Sequence, residues 1–255
     1  MSQFRYRVAA APIILGNLAV AALNQGQTAL ARARMEEQLA SARQLGDRKL
    51  TGWALTKLGN AAAEAGDLAA ARARQDEALR LAQEIGDRRL ENYALTNRGL
   101  VCQADGDYPA ARTLHQRSLR LAQALGKPHI IAEILEALVH VEAADANPAL
   151  TARLLGTAHV LRERLGEPVP GPDQARHHHL TATLRQALGD EHYQAARDQG
   201  RSMPEQQAIT LAGPPPYPTA KTPQPAQVNC RLRSGDSALE RHGPESGTPR
   251  GSLPV

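Results

Sequence analysis

Aromatic side chains are scarce in this 255-residue chain: one Trp, one Phe and five Tyr make up 3% of it, within a hydrophobic fraction of 42%. A core without large rings has to be assembled from Ala and Leu. Small side chains let helices approach closely, and both residues are strong helix formers. Runs of β-branched and aromatic residues, the material of sheets, are missing as well, which points to an all-α fold. Cysteine is nearly absent. Cys102 and Cys230 exclude a disulfide framework, and Cys102, inside a helical pattern, reads as a small core residue in a reducing, cytoplasmic compartment. Charge of one sign is lacking too. Thirty Lys and Arg are offset by 26 Asp and Glu, for a net +4, and the basic residues are mostly Arg spread along helices. Direct nucleic-acid binding requires a concentrated basic patch, and none is found. No uninterrupted apolar run reaches the length needed to cross a bilayer, so no membrane partner is expected. Arg5 and Arg7 ahead of the apolar stretch 8–23 outline a secretory leader. Pro12, Gly16 and Asn17 interrupt that stretch, however, and it falls into the repeat register described next.

What the chain does contain is a period. Leu45-Gly46, Ile85-Gly86, Leu125-Gly126 and Leu165-Gly166 recur every 40 residues. Midway through each unit stands a second marker: Gly26, Gly66-Asp67, Gly106-Asp107 and Ala146-Asn147. Leu39, Leu79 and Leu119 keep the same interval, as do Ala42, Ala82 and Ala122. Several series sharing one period mark an internal repeat.

The markers have a physical meaning. Gly-Asp stands at Gly46-Asp47, Gly66-Asp67, Gly86-Asp87, Gly106-Asp107 and Gly189-Asp190. Glycine takes the left-handed conformation that ends one helix. The following Asp accepts hydrogen bonds from the free N–H groups that open the next. Pro128 and Pro148 fall near first turns, where a missing N–H costs nothing. Helices are expected near 12–24, 28–45, 48–64, 68–85, 88–104, 108–125, 129–144 and 148–165, with a less regular set near 173–188, 190–200 and 203–212. Short loops pair them as antiparallel hairpins. The units lie near 12–46, 47–86, 87–126 and 127–166. One hairpin cannot bury its own apolar stripe, so the four to five units stack into an α-solenoid over 1–212.

Each unit resembles a tetratricopeptide repeat. Leu55, Leu58-Gly59, Ala71 and Ala78 fit that family's pattern, as do Leu95, Gly99, Ala111 and Ser118, and Leu15, Leu18, Ala31 and Met35. The resemblance implies a right-handed α-solenoid that binds protein partners and has no catalytic role. Gln75 and His115 replace the family's bulky second-helix residue, a departure expected to weaken the core locally. The run from Ala152-Arg153-Leu154-Leu155-Gly156 through Leu161-Arg162-Glu163, Leu184, Leu188-Gly189, Tyr193 and Gly200 is similar to the closing segment of LuxR-type bacterial transcription regulators and maltose-regulator-like ATPases. That likeness, over about 150–212, implies a signal-sensing module or a separated piece of such a regulator. No phosphate loop of the Gly-x-x-x-x-Gly-Lys-Ser/Thr type and no helix-turn-helix accompanies it. An uncapped first repeat is expected to expose an apolar end, a route to self-association.

In tetratricopeptide arrays the first helix of each hairpin lines a concave groove. Registering on Gly59 and Gly99, that resemblance directs Trp53, Thr56, Asn60, Tyr93, Thr96, Gln103, Glu133, Glu136 and His140 inward, toward a peptide or helix of a partner. Asn60 matches a position where related domains hold a peptide backbone or carboxylate, but the basic residues of a carboxylate clamp are missing. Trp53 and Tyr93 stand at equivalent positions one repeat apart, as an aromatic platform or as packing between repeats.

Catalytic chemistry is not expected. His177-His178-His179 cannot converge on one metal ion, because consecutive helical residues point about 100° apart. Cys102 has no Cys or His at ligand or nucleophile spacing. Glu133 and Glu136 at i,i+3 suit groove lining better than acid–base catalysis. No cofactor is implied. From Gly213 to Val255 the chain holds nine Pro and five Gly, a composition expected to stay disordered. Pro214-Pro215-Pro216-Tyr217 matches the ligand motif of WW domains and reads as an accident of a Pro-rich segment.

Overall fold

The structure, a computed structural model, describes the backbone of residues 2–144, 147–169 and 171–212, with side chains over 11–144, 147–169 and 174–212. The tail expected over 213–255 lies outside the described residues. Among the described residues every regular element is a helix. They are α1 (Ser2–Asn24), α2 (Thr28–Gln44), α3 (Arg48–Glu64), α4 (Leu68–Ile85), α5 (Arg88–Ala104), α6 (Tyr108–Ala124), α7 (Pro128–Ala144), α8 (Pro148–Leu165), α9 (Gly171–Leu188), α10 (Asp190–Ser202) and α11 (Glu205–Ala212). None of them is long and apolar enough to cross a membrane.

The turns work as their chemistry demands. Gly46, Gly66, Gly86 and Gly106 all have positive φ. Asp47, Asp67, Asp87 and Asp107 then accept from the N–H groups of Leu50, Ala70, Leu90 and Ala110, and Asn147 does the same for Leu150. Gly189-Asp190 departs from the pattern: Gly189 itself is the N-cap, and Asp190 is already the first residue of α10. Two boundaries also move. The first helix begins at Ser2, well before the expected residue 12, and carries Pro12 inside it. The last begins at Glu205, because Met203 precedes Pro204 and is held extended at φ −70°, ψ 132°.

Consecutive helices pack as antiparallel hairpins α1/α2, α3/α4, α5/α6 and α7/α8, and the second helix of each also packs on the first helix of the next. First helices touch across repeats, α3 with α5 and α5 with α7. Stacking closes the core that no hairpin could close alone. Leu58 of the second repeat joins Ala19 and Met35 of the first, and Ala94 of the third joins Leu55 and Ala78 of the second. Ala42, Ala82 and Ala122 are fully buried where helices approach.

The departures at Gln75 and His115 turn out to be accommodated. Both side chains are completely buried, at the register position that holds Met35 and Leu155 in the flanking repeats. Each lies against a glycine: a Cβ on Gly59 would sit 2.5 Å from Gln75 Nε2, and one on Gly99 would sit 2.5 Å from His115 Cε1. Gln75 Nε2 donates to the Thr56 carbonyl at 3.0 Å and to Asn60 Oδ1 at 2.9 Å. His115 has no hydrogen-bond partner at either ring nitrogen among the described residues.

After α8 the alternation changes. Helix α10, rather than α9, runs closely along α8. Gly156 and Gly200 make the contact: a Cβ on Gly200 would lie 1.9 Å from the Arg153 carbonyl oxygen, and one on Gly156 2.2 Å from that of Arg197. The Thr157 hydroxyl donates to the Gly200 carbonyl at 2.8 Å. Helix α9 contributes Leu180 and Leu184 to the largest core cluster, and α11 returns to α6 and α8. There Gln116 Nε2 donates to the Ala212 carbonyl at 3.0 Å.

Candidate binding surface

Trp53 on α3 and Tyr93 on α5 occupy the same register position one repeat apart. Stacking of those helices brings the rings to 5.5 Å between centroids, tilted by 45°. Trp53 is half-buried, while Tyr93 is 39% exposed. The pair is thus both a packing contact between repeats and an accessible apolar surface. Glu133 on α7 holds the next position of the series and is solvent-accessible. Surrounding protein nevertheless desolvates its carboxyl and pushes it above the usual carboxylate range. Arg162 and His129 oppose that shift, and Glu136 and Glu167 reinforce it.

Other residues expected to face inward are committed to the fold. Thr56 is fully buried and donates its hydroxyl to the Trp53 carbonyl at 2.8 Å, so it lines no groove. Glu136 is buried too. It accepts two hydrogen bonds from Arg162, at 3.0 Å from Nε and 2.9 Å from Nη2, because Arg162 reaches across from α8. That bidentate pairing raises the guanidinium above its ordinary value despite burial. Asn60 spends its side-chain oxygen on Gln75. Thr96 donates to the Asn92 carbonyl at 3.1 Å and lies 2.7 Å from the Ser118 hydroxyl. Gln103 Nε2 donates to the Ala137 carbonyl at 2.7 Å, tying α5 to α7. His140 meets His177 of α9 edge-on, at 6.0 Å between centroids.

The structure therefore joins Trp53 to Tyr93, turns Thr56 and Glu136 inward, and engages Asn60, Thr96 and Gln103 within the scaffold. Arg162 was not anticipated. Its signal was present, since it stands where the series Ala42, Ala82, Ala122 would place a fourth alanine, opposite a Glu that replaces Thr56 and Thr96. Leu100, 40% exposed on α5, was also overlooked. Among the described residues no group of three or more His, Cys, Asp or Glu is arranged to hold a metal ion.

Stacked hairpins with a 40-residue period define a helical solenoid of the tetratricopeptide-like class. The tetratricopeptide repeat model of that name matches residues 10–84, which span most of the first two hairpins. No curated protein matches the sequence. Among solved structures, the crystal structure of BtubC (BKLC) from P. vanneervenii is similar to this chain, with a TM-score of 0.60 at 18% identity. The likeness covers 88% of this chain and 93% of that one, and at such identity it speaks for the fold alone. Tetratricopeptide repeats as a class mediate contacts between proteins.

Proposed function

We propose that this chain is a non-enzymatic protein-interaction module of the cytoplasm, holding a peptide or helix of a partner against the faces of α3, α5 and α7. The Trp53–Tyr93 pair carries the reading. Large rings are scarce here, and two of them meet on the first-helix face with Tyr93 open to solvent. Aromatic anchors of this kind dominate binding energies. Glu133 in the next register position favours a segment that sets an apolar residue over the rings and a basic one beside the carboxylate. The test is affinity capture with residues 1–212, identification of the partner, and titration of its purified segment against parent, Tyr93→Ala and Trp53→Ala proteins. Circular dichroism verifies folding. Loss of an anchor worth about 2 kcal/mol weakens binding roughly thirtyfold. Undiminished binding by both folded variants would sink the proposal.

A second reading is a signal-sensing module of a LuxR-type regulator. It draws on the segment 150–212, whose Gly156 and Gly200 are the contact points of α8 and α10. A gene with no ATPase or DNA-binding reading frame adjoining it would count against this reading.

A further inference from the structure

Helices α8, α9 and α10 leave a cavity between them. Gly156 and Gly200 let α8 and α10 touch along their backbones, so α9 stays outside that contact and leans on the core through Leu180 and Leu184. The gap that remains measures about 290 Å³, close to the roughly 300 Å³ at which small-molecule sites begin. Two helices supply i,i+4 pairs to it, Leu155 and His159 from α8 and Tyr193 and Arg197 from α10. Helix α9 adds one face, on which Gln174, Thr181 and Arg185 lie. Leu155 and Tyr193 are buried, at 6% and 3% exposure, and with half-buried Val169 they form an apolar wall.

Charge selects the occupant. Every polar side chain around the cavity can donate a hydrogen bond, and no Asp or Glu is among the described residues that line it. Arg197 is half-buried, and its guanidinium has neither an ion pair nor a hydrogen bond among the described residues. The buried Tyr193 hydroxyl makes no hydrogen bond among them either. Arg185 is held over the Tyr193 ring, 5.4 Å from its centroid. Carboxylates nearby are bound outside the cavity. Glu163 accepts from Arg201 at 2.9 and 3.2 Å and lies 3.1 Å from His159 Nε2. Asp190 stands 3.5 Å from Arg185 Nε as an exposed pair, which an incoming anion displaces at little cost. Two guanidinium cations, with the neutral donors Gln174, Thr181 and Tyr193, match a phosphate monoester, which brings up to two charges and three acceptor oxygens. A carboxylate brings a single charge. We infer that this cavity binds a small phosphomonoester, its phosphate between Arg185 and Arg197 and its organic body against Leu155, Val169 and the Tyr193 ring. The site lies apart from the Trp53–Tyr93 pair and stands or falls independently of the partner-binding reading.

Isothermal titration calorimetry of the full chain against phenyl phosphate and inorganic phosphate tests the inference. Phenyl phosphate should bind once per chain, and more tightly than inorganic phosphate. Arg197→Gln and Arg185→Gln, checked for folding by circular dichroism, should each weaken it about tenfold or more, as loss of a charge-assisted hydrogen bond requires. Arg185 is exposed, so its variant keeps the test readable should Arg197→Gln disturb α10. Arg164→Gln removes the same charge from an exposed position of α8 outside the cavity lining and should change little. Absence of saturable phenyl phosphate binding would overturn the inference. So would binding that survives in both folded cavity variants, or an equal loss in Arg164→Gln, which would reduce the effect to net charge. Inorganic phosphate bound as tightly as the ester would overturn the assignment of an organic body.

Discussion

Replacing His115 by Leu should stabilise the protein and remove a specific part of its acid sensitivity. The imidazole is completely buried, neither ring nitrogen has a partner among the described residues, and burial lowers its pKa from 6.5 to about 4. The folded chain thus keeps the ring neutral, while the unfolded chain takes up a proton near 6.5. Folding stability is undiminished above that value and falls as the pH drops toward 4, by about 3 kcal/mol across the window. Below the folded pKa the loss is complete and this group adds no further slope. Leucine fits the site in kind, since Met35 and Leu155 hold the same register position in other repeats, and Gly99 leaves room beside it. Removing two unsatisfied buried nitrogens should add about 1–3 kcal/mol at neutral pH. Urea denaturation of parent and His115→Leu proteins at several pH values between 4 and 7 measures both effects. Carboxylates that titrate in the same range cancel in the difference. A stability gap that widens on acidification is expected. A constant gap, or a variant weaker than the parent at pH 7, would refute the picture of a buried, unpartnered imidazole.

Other substitutions probe the same scaffold. Arg162→Ala leaves the Glu136 carboxylate buried without its bidentate partner and should cost about 3–5 kcal/mol in urea denaturation. Adding Glu136→Thr to it restores the residue types of the earlier repeats and should recover most of that loss. Gly200→Ala places a methyl 1.9 Å from the Arg153 carbonyl oxygen, prising α10 from α8. It should cost about 2 kcal/mol or more and raise amide hydrogen exchange in α10. Asp107→Ala removes the acceptor for Ala110 N–H at the start of α6 and should lower stability by about 1 kcal/mol, read by thermal melting.

Most helix boundaries were legible because their causes are local. A glycine at positive φ followed by an Asp whose carboxylate meets the next helix is a property of two or three residues, and the 40-residue period repeats it. Exceptions arose where another local rule intervened. Asp190 lost its capping place to Gly189, and the bond before Pro204 held Met203 extended. The candidate surface was legible only in part. Trp53 and Tyr93 share a register position, so their meeting follows from stacking like units. Thr56 and Glu136 occupy first-helix positions as well, but the same helix face divides between solvent and the hairpin behind it. Only packing decides which side chains are turned inward.

Composition and period by themselves determined an all-helical array. Ala and Leu can close a core without rings, and Gly-Asp turns leave adjacent helices little choice but to pair. Tertiary structure alone decided what happens to polar residues at core positions. Gln75 finds two acceptors, His115 finds no partner among the described residues, and Arg162 finds Glu136, because each outcome depends on what a helix distant in sequence presents there. It also decided the fate of the irregular end. That α10 rather than α9 lies against α8 depends on two glycines 44 residues apart, whose missing side chains let the backbones touch. A contact between residues so far apart has no periodic trace, and only the folded chain brings its partners within reach.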